Sequence, residues 1–114
     1  MRIVTQEELP HSVIAREFVG ERFGSSMTIV LVDAPPGTGP RLHRHPYEEL
    51  IIVQEGEGTF RTGEEEKIVR AGEIVVIPAG QAHAFANTGT GPLRQIDIHA
   101  SPSFSTEWLE ARDG

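Results

Sequence analysis

Turn-forming residues interrupt this chain so often that long helices are excluded from most of it. Its 114 residues include 12 glycines and 8 prolines, and turn signals recur about every 8–12 residues. Between the turns lie short runs rich in β-branched residues, of which residues 26–33, 49–54 and 73–77 are the clearest. Eight or more short strands joined by turns predict an all-β sandwich or barrel.

The two ends of the chain are harder to interpret. The first 20 residues fit one or two short strands, and a single helical turn around Glu7 fits equally well. Residues 106–112 (TEWLEAR) are the one segment predicted as a short C-terminal helix, with Ser105 as its N-cap and with Glu107 and Glu110 early in it.

Composition narrows the possible partners and sites. The chain has no cysteine, so disulfides and thiolate metal sites are excluded. Its net charge is −7, Lys67 is the sole lysine and the arginines are scattered, which argues against nucleic acid as a partner. No apolar run approaches the roughly 20 residues of a membrane span, and the start lacks a signal-peptide core. We therefore expect one cytoplasmic domain over residues 1–114 and no membrane partner.

Metal-competent residues are concentrated in residues 37–56. His43, His45 and Glu49 share a parity, so on an extended strand their side chains point to one side. Imidazole and carboxylate together suit a divalent transition metal. Glu48 is an alternative to Glu49, because Pro46 can shift the parity of the intervening loop.

A second stretch, residues 72–87, contributes one more histidine, His83. The first stretch reads G(x)5HxH(x)3E(x)6G and the second G(x)5PxG(x)2H(x)3N, with 15 residues between them. Ten specified positions at these spacings resemble the two sequence motifs of the cupin superfamily. The motif glycines suit turns with positive φ, and Asn87 suits a structural turn after a strand.

The chain thus resembles a small single-domain cupin of the conserved-barrel type. The resemblance implies a double-stranded β-helix, or jelly-roll barrel, in which His43, His45, Glu49 and His83 bind one divalent metal. These ligands leave Fe, Mn, Ni, Co, Cu and Zn open, together with one or two coordination positions for water or substrate.

Five further residues are candidates for the substrate pocket, and no catalytic residue is assigned. Arg41 shares the parity of the histidines and either anchors a carboxylate or is a solvated loop residue. Asp97 and His99 share the polar face of the last strand, which looks either into the barrel mouth or toward solvent or a subunit boundary. Tyr47 and Phe85 are pocket wall or core.

We expect a metalloenzyme that acts on a small polar organic molecule. Oxygenase, decarboxylase, isomerase and lyase reactions all remain open, because function depends on the site and not on the fold. The alternative is a non-catalytic module that binds or senses a small ligand through the metal. Residues 50–53 are apolar on both faces, one of which should fill the barrel and the other meet a sheet edge or a second subunit, so a homodimer is predicted.

Overall fold

The computed structural model describes residues 1–111. Within that range the strands are β1 (Ala15–Phe18), β2 (Thr28–Ala34), β3 (His43–Arg44), β4 (Glu49–Glu55), β5 (Glu57–Arg61), β6 (Glu66–Arg70), β7 (Ile74–Ile77), β8 (Ala84–Asn87), β9 (Leu93–His99) and β10 (Glu107–Trp108). Single turns of 3-10 helix cover Gln6–Glu8 and Gly20–Phe23. The all-β prediction is confirmed, and the N-terminal segment contains both a helical turn and a strand.

The strands form two facing layers. One is a five-stranded antiparallel sheet in the order β1-β2-β9-β4-β7, and the other is a three-stranded sheet in the order β6-β5-β8. A small third sheet joins β10 to β3. Apolar side chains fill the space between the layers, as expected for a β-sandwich; they are Val32, Ala34, Ile51, Val53, Phe60, Ile77, Phe85 and Leu93.

Alternation along β4 and β9 decides what faces the interior. On β4, Ile51 and Val53 are at most 1% exposed, whereas Leu50 and Ile52 lie half-buried on the outer face. On β9 the polar residues are the buried ones: Gln95, Asp97 and His99 point inward, and the isoleucines between them point outward. Because successive side chains on a strand point to opposite faces, the register of β9 places the three polar side chains of Gln95, Asp97 and His99 inside the sandwich, where apolar side chains are usual.

The motif turns adopt the backbone that the glycines predict. Gly37, Gly56, Gly72 and Gly80 all have φ between 82° and 94°, a region that side chains other than glycine rarely occupy. At Gly56 a Cβ would also lie 2.3 Å from the Pro92 carbonyl oxygen.

Asn87 holds two turns together. Its Nδ2 donates to the carbonyl oxygens of Ala34 and Gly91, both at 2.8 Å, and its Oδ1 accepts from Gly89 N at 2.9 Å. The side chain is therefore engaged in structural hydrogen bonds, as the sequence predicts.

The predicted C-terminal helix is wrong over residues 106–111, and Arg112 lies outside the described residues. Glu107 and Trp108 pair with Arg44 and His43 as strand β10. The next two backbone N–H groups, of Leu109 and Glu110, both donate to the carbonyl of Leu42. Because these N–H groups donate to a residue that lies just before β3 and is distant in sequence, they are not available for hydrogen bonds within a helical turn. In residues 1–111 there is also no helix long and apolar enough to cross a bilayer.

Candidate metal centre

Three separate segments bring the histidines and Glu49 together. His43 lies on β3 and His83 immediately precedes β8, and the two exchange backbone hydrogen bonds of 3.0 and 2.9 Å. His45 follows β3, and Glu49 begins β4. The side chains of all four residues are 3–7% exposed.

The ligand atoms converge on a small volume. One ring nitrogen from each of His43, His45 and His83 lies within 4.8 Å of the others. Glu49 Oε1 is 3.1 Å from His83 Nε2 and 3.4 Å from His45 Nε2. The structure thus brings Glu49 to the histidines, whereas Glu48 is exposed.

Backbone carbonyls orient the three rings. Nδ1 of His43 donates to the Arg41 carbonyl at 2.7 Å, that of His83 to Gln81 at 2.9 Å, and that of His45 to Ser105 at 3.0 Å. A carbonyl only accepts, so each Nδ1 carries the proton, and in a neutral ring Nε2 presents a lone pair. Metal-binding histidines in proteins are commonly oriented in this way, by a hydrogen bond from the ring nitrogen that does not bind the metal.

The resulting cluster suits a cation. Lone pairs on the ring nitrogens face an acceptor-only carboxylate, and the buried His45 Nε2 has no hydrogen-bond partner within residues 1–111. Buried polar atoms without partners are rare and costly. A divalent ion between the nitrogens and Glu49 satisfies all of them, so the residues present fit a metal.

The protonation states of His43 and Glu49 also favour a metal site. Burial lowers the pKa of His43 from 6.5 to about 4, so the ring is neutral at pH 7. Burial alone would raise the pKa of Glu49, but the imidazoles of His45, His83 and His99 outweigh it and hold that pKa below its usual range; this requires positive charge or an N–H at the ring nitrogens, which a bound cation would replace. Neutral imidazole and ionised carboxylate are the forms that coordinate metal.

Two of the predicted pocket residues lie behind this cluster. His99 Nε2 is 3.4 Å from Glu49 Oε2, and the Tyr47 hydroxyl shares a 2.7 Å hydrogen bond with His99 Nδ1. The hydroxyl is also 3.3 Å from His45 Nδ1. Burial raises the pKa of Tyr47 to about 12, so it remains a phenol. Tyr47 and His99 therefore connect one candidate ligand to another.

Asp97 is the third polar group inside the barrel. It is 4% exposed, and its carboxylate accepts a 2.9 Å hydrogen bond from Gln95 Nε2. Burial, reinforced by the negative charge of Glu49, raises the pKa of Asp97 well above its usual value. Of the two orientations left open for this strand face, the structure has the inward one.

A cavity of about 420 Å³ opens beside the cluster. Phe85, Asp97 and His99 line it together with the candidate ligands. Arg41 does not: it is exposed and lines a separate depression, while its carbonyl orients His43. Its role as a carboxylate anchor stays a prediction.

The C-terminal segment is the part of the site that sequence reasoning missed. Phe104, Thr106 and Trp108 line the cavity. The Trp108 ring centroid is 4.9 Å from that of His43, and the Phe104 centroid is 5.2 Å from that of His99. These contacts depend on pairing between β10 and β3, more than 60 residues apart, for which the local sequence has no signal.

Comparisons with known proteins agree with the geometry. The cupin domain family matches residues 30–99, more than half of the chain. An oxalate-binding protein from Thermotoga maritima is 33% identical over 65 residues, which is 56% of this chain and 54% of that protein. The chain spans about half, or less, of the length of the curated relatives it matches.

Solved structures share the fold. A conserved protein with a double-stranded β-helix domain from Klebsiella pneumoniae superposes with a TM-score of 0.77, at 21% identity over 97% of this chain and 99% of that one. An oxalate oxidase in complex with the substrate analogue glycolate gives 0.67, at 27% identity over 74% of this chain and 46% of that one. With both motifs, the sandwich and the family match in agreement, the chain belongs to the cupin family.

Proposed function

We propose that His43, His45, Glu49 and His83 bind one divalent transition metal. The observation that carries this proposal is the buried His45 Nε2, which lies in a cluster of ring nitrogens around an ionised carboxylate and has no hydrogen-bond partner in the described part of the chain. Held by these four residues, such a metal would polarise a bound oxygen or activate water. The ligand set is compatible with Fe, Mn, Ni, Co, Cu or Zn.

The function we infer is that of a metal-dependent enzyme acting on a small organic molecule that binds through oxygen atoms. Two features support this: the cavity of about 420 Å³ adjoins the proposed ligands, and similar proteins include an oxalate oxidase with bound glycolate and an oxalate decarboxylase with formate. The chain's own contribution is to orient the rings by backbone carbonyls and to place the rings of Trp108 and Phe104 against His43 and His99. The reaction type is left open by these observations.

A second candidate is a binding module without catalysis. The relative named as an oxalate-binding protein favours it. The two candidates share the metal and the cavity and differ only in turnover. Purified protein loaded with each metal should therefore be tested for ligand binding by calorimetry, and for oxygen uptake and product formation with the same ligands. Binding without turnover for every metal would select the module.

The metal proposal is tested by matched substitutions. We expect His83→Ala and Glu49→Gln to lower metal affinity by at least about tenfold, measured by metal content after dialysis and by calorimetry. His11→Ala and Glu48→Gln remove the same groups from exposed positions and should leave affinity unchanged. Full occupancy in the His83→Ala or Glu49→Gln protein would refute the ligand assignment.

We also propose that the chain forms a homodimer through the outer face of the five-stranded sheet. Polar residues normally cover the solvated face of an antiparallel sheet, yet three neighbouring strands here present only aliphatic side chains at its centre. These are Leu50, Ile52, Ile74, Val76, Ile96 and Ile98.

The size of this face suits a second copy. The five strands are four to seven residues long and span at most about 24 Å by 23 Å at the usual strand spacings. This projected area of about 550 Å² is the same order of magnitude as the roughly 800 Å² of accessible surface per partner in a standard interface. A uniform apolar face is also complementary to itself under two-fold symmetry. Val76→Lys should give a monomer of 12.5 kDa in sedimentation. Val13→Lys, at an 89% exposed position outside the face, should not.

A further inference from the structure

The cavity beside the candidate metal centre has two unlike sides. One side consists of the proposed ligands. The other is mainly apolar, with Ser12, Glu17, Asp97, His99 and Thr106 as its polar members, and Val32 and Phe85 in it are both 6% exposed. The apolar lining residues include Ile14, Val30, Val32, Phe85, Phe104 and Trp108. A molecule that reaches the metal with one end must therefore place its other end against aliphatic and aromatic surface.

Cationic side chains are missing from this lining. Among residues 1–111, no lysine or arginine lines the cavity. The other carboxyl groups in the lining are those of Asp97 and Glu17. Whether protonated or ionised, a carboxyl group supplies no positive charge. A second carboxylate on a bound ligand would find no positive partner on these walls, and burying an unpaired charge is strongly unfavourable.

Charge balance leads to the same ligand class. This step rests on the proposed function, because it counts the metal. A divalent ion and the ionised Glu49, with neutral imidazoles, carry one net positive charge. A ligand with a single negative charge balances the metal and its four ligands, whereas a dianion such as oxalate leaves that group net negative, and Asp97 and Glu17 in the lining cannot offset the excess.

We propose that the site selects a monoanionic oxygen chelator that carries an aliphatic or aromatic body, in preference to a small dicarboxylate. The chelating end takes the open positions at the metal, and the body packs between the β2 side of the cavity and the rings of Phe104 and Trp108. The proposed ligand therefore differs from oxalate, the compound that appears in the names of two proteins to which this chain is similar.

Three chelators separate the contribution of the ligand's charge from that of its apolar body. Glycolate is a monoanion with almost no body, mandelate is a monoanion with a phenyl group, and oxalate is a dianion. Affinities for the cobalt-loaded full chain are measured by calorimetry and by the visible spectrum of Co(II), and each is divided by the ligand's affinity for aqueous Co(II). We expect the normalised affinity of mandelate to exceed those of glycolate and oxalate by about tenfold or more, because it alone buries apolar surface without excess charge.

A charge placed in the wall should reverse the preference. Phe104 and Leu109 are 36% and 41% exposed and lie in the same segment, but only Phe104 lines the cavity. Phe104→Arg should lower the mandelate-to-oxalate ratio by about tenfold, while Leu109→Arg should leave it unchanged. Arg112→Gln, outside the described residues, should also leave the ratio unchanged.

The outcomes distinguish this inference from the function on which it rests. A normalised preference for oxalate in the unmodified protein, equal effects of the Phe104 and Leu109 substitutions, or loss of oxalate binding in Arg112→Gln would overturn the ligand class while the metal site stands. Failure of cobalt to bind, or equal binding by Glu49→Gln, would overturn the metal site and this inference with it.

Discussion

Because Asp97 retains its proton in the folded protein, it should make the free energy of unfolding fall as pH rises. An ordinary salt-bridged carboxylate has the opposite effect. Asp97 lies on β9 inside the sandwich, 4% exposed, and Gln95 donates one hydrogen bond to it. Burial and the charge of Glu49 raise its pKa well above 3.8. The folded protein therefore retains a proton that the unfolded chain releases above about pH 3.8.

The size of the effect follows from linkage. The stabilisation from this proton is fully present below pH 3.8 and is lost as pH rises toward and through the folded pKa. Between these two pKa values the free energy of unfolding falls by about 1.4 kcal/mol for every pH unit, relative to a chain without the group. Asp97→Asn keeps the shape and the hydrogen-bonding oxygen but removes the titration, so the variant should gain on the unmodified protein at that rate.

The assay is urea unfolding of metal-free protein between pH 4 and 7, with the difference between the two proteins followed at each pH. Subtracting them cancels the titrating groups that do not interact with Asp97, and any constant penalty of the amide shifts the line without changing its slope. Asp33→Asn, on the exposed side of the same sheet, reports how the substitution behaves at the surface. A flat difference for Asp97→Asn would refute the buried, protonated carboxyl.

Three further outcomes are expected. Ile51→Ala, at a fully buried position, should lower the free energy of unfolding by about 2–5 kcal/mol, against a smaller loss for Leu50→Ala, in chemical denaturation. Because burial lowers the pKa of His43 to about 4, this histidine takes up a proton in the unfolded chain at a higher pH than in the folded protein. The free energy of unfolding of the metal-free protein should therefore fall by up to about 3 kcal/mol as pH falls from 6.5 to 4, and His43→Gln, which lacks this titration, is the reference. Trp108, the single tryptophan, lies on His43, so its fluorescence should change when metal binds, and Glu110→Gln, which weakens the link to Arg61, should raise its quenching by acrylamide.

Local sequence was sufficient for much of the fold. The strand predicted over residues 49–54 matches β4, and the β-branched run at 26–33 corresponds to β2, because hydrophobic pattern and turn residues act over a few positions. The motif glycines have the positive φ that their spacing predicts. The two motifs also named the four residues that the structure brings together, since each motif carries its ligands at short range.

The remaining features depended on contacts between distant residues. Residues 107–108 became a strand because they pair with β3, and no local preference of the segment indicates that partner. The direction of the polar face of β9 was left open by alternation alone, since a one-residue shift in register exchanges the two faces. Arg41 has the right parity but an exposed position.

The sequence by itself thus determined the all-β architecture and the residues able to bind a metal. Only the tertiary structure decided which groups complete the site: the carbonyl of Ser105 that orients His45, the hydroxyl of Tyr47 on His99, and the rings of Phe104 and Trp108 over the cavity. The physical reason is that ligand identity is encoded in short spacings. The shape and charge of a cavity are set by residues that meet only after the two sheets and the C-terminal strand have packed.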